Sequence, residues 1–241
     1  MIFRLLAERD YQIRIPPRAA PPEPALDALA LLVSFQFDAC CEFLHHMRGE
    51  MRDNPGFYVQ LDGMPEAQII LIRNLCSLFR SNGLLEHYRV DRTTGRIVGA
   101  VTDDARAFHF IGGDWLESAI RVNVSQFLNL DGTPVELLEN VEIRRPDGRN
   151  FELDVVMAID GLLYWWEAKC GGYLPSDLDR YRAVAKELGL PPNRAVLVLA
   201  EPEPDDALGT VADHTGMTVL APDRIAAFIE GIEARHRKQG A

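Results

Sequence analysis

The chain has 241 residues, a formal net charge of −11 and 47% hydrophobic residues, enough for one large domain or a domain with a smaller companion. No apolar run approaches the ~20 residues that cross a bilayer, and Glu8 and Asp10 interrupt the N-terminus before a signal-like region develops, so a cytoplasmic protein is expected. Cys40, Cys41, Cys76 and Cys170 show no paired spacing, which points to reduced thiols and away from zinc or disulfide roles.

In chain order, PPRAAPPEP at 16–24 reads as a stiff linker, so residues 1–24 are expected to be an N-terminal arm. From Pro24 to Gly49 the apolar spacing predicts one helix, and a second is predicted from Pro65 to Arg80, stopped at Ser81-Asn82-Gly83. HYRVDRTTGRIVGAV then reads as a hairpin turning at Thr93-Thr94-Gly95. Residues 25–105 are thus a helical region with a hairpin, an outline shared by winged helices and many other small domains.

The region 106–241 carries a denser pattern. A helix is predicted from Asp114 to about Leu128. Strands at Val141–Arg145, Phe151–Ala158 and Leu162–Lys169 follow, joined by Pro146-Asp147-Gly148 and by Asp160-Gly161. A helix opens at Ser176, with Asp179 three residues on and Gly189 as its stop. RAVLVLA at 194–200 reads as a buried strand, and a helix ending near Gly216, the short strand MTVL and a helix from Asp223 complete the chain. The fold class expected is α/β, with an αβββαβ core of mixed sheet and flanking helices.

If Asp160 and Gly161 are the two loop residues of a type I′ turn, Asp154 opposes Glu167 and Glu152 opposes Lys169. Alternation then puts these four on one face and Phe151, Leu153, Val155, Met157, Leu162, Tyr164, Trp166 and Ala168 on the other, as a core. Two acids with Cβ atoms ~5 Å apart repel each other. A hard divalent cation such as Mg²⁺ or Mn²⁺ offsets that repulsion and polarises a phosphoryl oxygen, while Lys169 orients water and stabilises charge on the phosphate. Glu117, in the first turn of its helix, has two readings: a capping partner of Asp114, or a further carboxylate aimed at the metal. Trp165 shares the charged face, where it either packs or stacks a base. His45 and His46 are read as surface or partly buried residues, and His109 as a strand histidine or an accessory to the site.

A helix glutamate, then Asp, then Glu-x-Lys on such a core resembles the PD-(D/E)XK nuclease superfamily. GGDWLESAI at 112–120, FELDVV at 151–156 and YWWEAKC at 164–170 are similar to the nuclease domains of CRISPR ancillary proteins activated by cyclic oligoadenylate. The resemblance covers roughly residues 65–241. It implies Glu117, Asp154 and Glu167 as metal-site acids, Lys169 as the catalytic lysine and Glu152 at a matching family position. It departs at Ala168, where the family has Cys, and in an extra residue between Asn150 and Glu152. The sensor domain of that family has no counterpart in the N-terminal sequence, so a cyclic-nucleotide activator is not expected, and a homodimer is a secondary expectation.

The function expected is a metal-dependent endonuclease, with DNA ahead of RNA as substrate, in CRISPR-linked or other anti-phage defence. The alternatives are a catalytically inactive nuclease fold that binds nucleic acid or protein, and an enzyme on another phosphate substrate. The acidic balance argues against a broad basic face. Positive charge is local: Arg89, Arg92 and Arg96; Arg144, Arg145 and Arg149; Arg180, Arg182 and Lys186; Arg235, Arg237 and Lys238.

Overall fold

The computed structural model describes residues 1–15, 23–50, 56–128, 133–145, 147–200 and 205–239. In chain order the elements are α1 (Ile2–Ala7), β1 (Gln12–Ile15), α2 (Pro24–Phe35), α3 (Phe37–Glu50), β2 (Gly56–Gln60), α4 (Glu66–Ser81), β3 (Leu85–Asp91), β4 (Arg96–Val101) and α5 (Ala105–His109). A π-helical turn, Phe110–Asp114, leads into α6 (Trp115–Phe127), followed by β5 (Val135–Arg144), β6 (Asn150–Ile159), β7 (Leu162–Lys169), α7 (Pro175–Glu187), β8 (Ala195–Leu199), α8 (Asp205–Thr215), β9 (Thr218–Leu220) and α9 (Ile225–Gln239). No single described helix is long and apolar enough to cross a membrane.

The chain divides into two compact units, Met1–Pro22 with Leu116–Ala241, and Glu23–Trp115. The first unit holds a six-stranded sheet of order β1-β5-β6-β7-β8-β9. It is antiparallel from β1 to β7 and parallel from β7 to β9, as α7 and α8 provide the crossovers that parallel strands need. The α/β core expected from the sequence is the run α6-β5-β6-β7-α7-β8. β8 is buried at every position, as its continuous apolar sequence requires.

The N-terminal segment corrects the expected arm. Ile2, Leu5 and Leu6 recur at i, i+3 and i+4, and that stripe is buried in the main core. β1 then pairs with β5, Gln12 opposite Arg144 and Ile13 opposite Ile143. Two contacts fasten the segment to the end of α7: the Tyr11 hydroxyl donates to Glu187 (3.1 Å) and Arg9 Nε to the Leu188 carbonyl (2.8 Å). The proline-rich stretch 16–22 lies outside the described residues.

The second unit holds helices and a three-stranded antiparallel sheet of order β2-β4-β3. The β3–β4 hairpin turns where Gly95 (φ 62) follows Thr93-Thr94. β2 has no counterpart in the sequence expectation; its alternation, Phe57 and Val59 in and Tyr58 out, spans only five residues. The single helix expected over Pro24–Gly49 is two, bent by 114° at Gln36 (φ −108, ψ 20). The break leaves Phe35 exposed and turns Phe37 inward to stack on Trp115, ring centres 5.9 Å apart. Residues 105–115 belong to this unit: Phe110 packs edge-on against Phe79.

α7 begins one residue earlier than expected and is capped differently. The Asp177 carboxylate accepts the Leu174 N–H (3.0 Å), in place of a Ser176–Asp179 pair. Gly189 ends the helix at φ 64, a conformation glycine adopts without strain.

Candidate active site

Asp160 (φ 47) and Gly161 (φ 76) are both left-handed, as a two-residue type I′ turn requires. The register follows: Ile159 opposes Leu162, Met157 opposes Tyr164 and Val155 opposes Trp166. One more step would set Asp154 opposite Glu167, and there the β6–β7 ladder ends. The Asp154 carboxylate takes the next backbone donor of β7 itself, Oδ2 accepting the Ala168 N–H at 2.8 Å. A side chain thus completes the hydrogen bonding where the two strands part.

A second irregularity coincides with the first. Val156 and Ala158 share the core on the α7 side with Leu163 and Trp165, yet further along β6 it is Phe151 and Leu153 that join that core. The alternation has changed phase between Leu153 and Val156. β5 changes with it, from Leu138 to Val141 and Ile143, at Asn140 (φ 53), which the flanking pairs Glu139–Val155 and Val141–Leu153 leave opposite Asp154. Both strands reverse together, so the register is kept.

This corrects the expectation of one charged and one apolar face. Asp154, Glu167 and Lys169 follow the α7 side, while Glu152 is exposed and lies opposite Glu142 of β5. Phe151 and Leu153 leave the other face; Trp166 stays on it, edge-on to the Phe228 ring of α9. Trp165 is fully buried between Phe151 and Tyr181, with ring centres 5.7 and 6.4 Å away, so it packs and offers no face to a base.

Glu167 is 7% exposed, and its Oε2 has no hydrogen-bond partner among the described residues. Burial drives its pKa well above the ordinary range, and the charges of Asp154 and Glu117 push it further; a hydrogen bond from Tyr181 and the charge of Arg180 act the other way. Burial also raises Asp154, to about 7, with Glu152 adding to it; the Ala168 N–H, Lys169 and Arg180 oppose the rise. Lys169, half-buried, ends β7 opposite Leu199 of β8. Glu117 sits in the first turn of α6, near enough for its charge to act on Glu167.

Asp154, Glu167 and Lys169 are therefore brought together, with Glu117 within electrostatic range. Among the described residues, no three His, Cys, Asp or Glu side chains form a group ready to hold an ion, so Glu117 is not drawn into a three-acid cluster with the other two. The donor chemistry nevertheless fits a hard divalent cation: two adjacent carboxylates, one carrying a buried oxygen without a partner, with water left to fill the remaining positions.

Two residues at the site are not assigned to it by the sequence, although Arg180 belongs to one of the local basic groups. Tyr181 and Arg180 stand on α7, Tyr181 within its buried stripe with Leu178, Val184 and Ala185. The helical spacing was the available signal, since a tyrosine in an apolar stripe carries a polar tip into the core. The histidines lie elsewhere. His45 and His46 are exposed on α3, and His109 is exposed on α5, with its Nδ1 3.9 Å from Asp114. His109 is helical, not on a strand.

Neither a protein-family model nor a curated protein matches the chain. Solved structures do. Protein VC1899 from Vibrio cholerae superposes with a TM-score of 0.63 at 17% identity, covering 98% of this chain and 61% of its own. Can2 from Sulfobacillus thermosulfidooxidans, solved in complex with cyclic tetra-adenylate, gives 0.63 at 16% identity, covering 96% of this chain and 60% of its own. At these identities the likeness is one of fold, and the chain spans about three fifths of the length of the structures it matches.

Proposed function

We propose that this chain is a metal-dependent nuclease that hydrolyses phosphodiester bonds of nucleic acid, DNA ahead of RNA. The observation that carries the reading is the pair of acids, half-buried Asp154 and buried Glu167, set where the ladder opens, with Glu167 Oε2 unpartnered among the described residues. Folding gains nothing from burying two like charges together, and phosphate chemistry with a cation does.

Asp154 and Glu167 would hold Mg²⁺ or Mn²⁺, with Glu117 as a further acid reaching it directly or through water. When bound, the ion supplies charge that offsets the repulsion of the acids and polarises a phosphoryl oxygen. The chain's own groups do the rest. The Ala168 N–H fixes one oxygen of Asp154 and leaves the other to face the site. Tyr181 and Arg180 favour the charged form of Glu167 against its burial. Lys169 orients the attacking water and stabilises negative charge on the phosphate as the leaving oxygen departs. The fold shared with a protein solved with cyclic tetra-adenylate supports a place in CRISPR-linked or other anti-phage defence. Cyclic-nucleotide activation forms no part of the proposal.

The test is incubation of the purified chain with single- and double-stranded DNA and RNA in millimolar Mg²⁺ or Mn²⁺. Cleavage that stops with EDTA is the expected result. Full cleavage by metal-stripped protein in EDTA sinks the metal assignment. Binding without cleavage in any metal identifies the inactive binding module instead.

A further inference from the structure

Much of the positive charge on this chain is already engaged. Arg145 is buried against Glu187 and Asp147, Arg149 is held by the same Asp147, Arg182 by Asp179, and Arg96 lies over the Tyr58 ring. Arg180 is held differently. Its guanidinium carbon stands 5.5 Å from the centres of both the Phe151 and the Tyr181 rings, one on β6 and one on α7. The acid it touches, Asp177, is 3.3 Å away, and its side chain is 48% exposed. Tyr181 also packs against Trp165, two residues before Glu167 on the same side of β7, so the two rings hold this cation beside the two acids. Its charge is felt at both, lowering Asp154 and Glu167 against the burial that raises them.

We infer that Arg180 is the anion-binding residue of this site, holding a non-bridging oxygen of the substrate's phosphodiester group beside Asp154 and Glu167. The inference rests on the nuclease reading above and names the group that presents the substrate to it. A phosphodiester entering a chain of net charge −11, next to two carboxylates, is repelled unless a cation is already in place. A guanidinium suits this task better than an ammonium. Its planar donors can bond two phosphate oxygens at once, and stacking on two rings fixes it beforehand, so less freedom is lost when substrate binds.

The experiment compares Arg180→Gln and Arg180→Lys with the parent. Steady-state cleavage is measured in Mn²⁺. Binding of a short labelled DNA is measured against salt in the Asp154→Asn background, where cleavage is not expected. Arg180→Gln should raise KM and weaken binding by about tenfold, and reduce the slope of log affinity against log salt by about one. Arg180→Lys should restore the slope but only part of the affinity. A merely structural role for the stacked side chain would lower the melting temperature and leave the slope where it was. An unchanged slope and KM in Arg180→Gln, with an active parent, overturns this inference alone. A parent that binds DNA through Arg180 but cleaves nothing overturns the nuclease reading and leaves the anion site standing. A parent that neither binds nor cleaves overturns both.

Discussion

From Leu162 to Trp166, β7 is paired residue by residue with β6, and the side chains from Leu163 to Trp166 are all buried and uncharged. One residue further the ladder has ended, and a carboxylate is buried in the next position. Both ends belong to one hairpin. The turn end obeys every local rule: two left-handed turn residues, complete pairing and a side chain for every space. The open end breaks several at once, since the strands part, the alternation reverses, and two acids lie together, one of them buried with an oxygen unpartnered among the described residues. Departures of this kind cost stability, and their concentration in one place separates the part of the hairpin that serves folding from the part that serves chemistry.

The contrast can be broken most sharply at Lys169. Lys169→Ala should lower the cleavage rate by about a thousandfold, because the lysine acts on developing charge, while unfolding free energy changes by ~1 kcal/mol or less. Rate and denaturant midpoint measured on one preparation decide it. A large loss of stability with a retained rate would make Lys169 part of the scaffold and erase the distinction between the two ends.

The next effect is a dependence of stability on pH without metal. Asp154 titrates at about 7 in the fold against an ordinary 3.8, and Glu167 is raised as well. The folded chain therefore binds more protons than the unfolded one between about pH 4 and 7, so stability falls as pH rises through that window. The cost is absent below it and fully developed above it, on the order of 4 kcal/mol for Asp154. Melting curves in EDTA from pH 5 to 8 should show this loss, and millimolar Mn²⁺ should reverse much of it. Asp154→Asn should flatten the profile and melt no lower than the parent at pH 8, because an amide oxygen can still accept the Ala168 N–H. It should also abolish cleavage. A mutant that melts well below the parent in EDTA would assign Asp154 to a structural network.

The smallest effect belongs to the turn end. At Gly161 an added Cβ would meet nothing within 4 Å, so Gly161→Ala introduces only the strain of φ 76, ~1 kcal/mol. Chemical denaturation should show that loss with cleavage intact. A fall in rate at unchanged stability would mean that the turn controls the open end.

Much of this was legible in the sequence, and for local reasons. Asp160-Gly161 dictates its turn, the turn dictates the register, and the register brings Asp154 to the level of Glu167. The order α6-β5-β6-β7-α7-β8 was equally open, because each element carries its own period and its own stop. What stayed hidden depends on distant partners. The phase reversal at Asn140 and Asp154 involves two strands at once and has no signature in either alone. Glu152 was assigned to the charged face for that reason. Arg180 and Tyr181 become part of the site only when α7 packs on the sheet. The break at Gln36 has no proline or glycine to announce it and follows from where Phe37 finds Trp115.

The pairing of β1 with β5 also sets a timetable. Ile2 and Glu136, joined by a hydrogen bond of 2.8 Å, are 134 residues apart in sequence. On the ribosome β1 emerges with its partner β5 not yet made, and the apolar stripe of Ile2, Leu5 and Leu6 is uncovered with it. The intervening unit, whose three strands all lie within residues 56–101, can finish folding during that wait. β1 must therefore be paired late, after a long loop has closed. In a nascent chain that uncovered stripe is a natural place for a chaperone to hold.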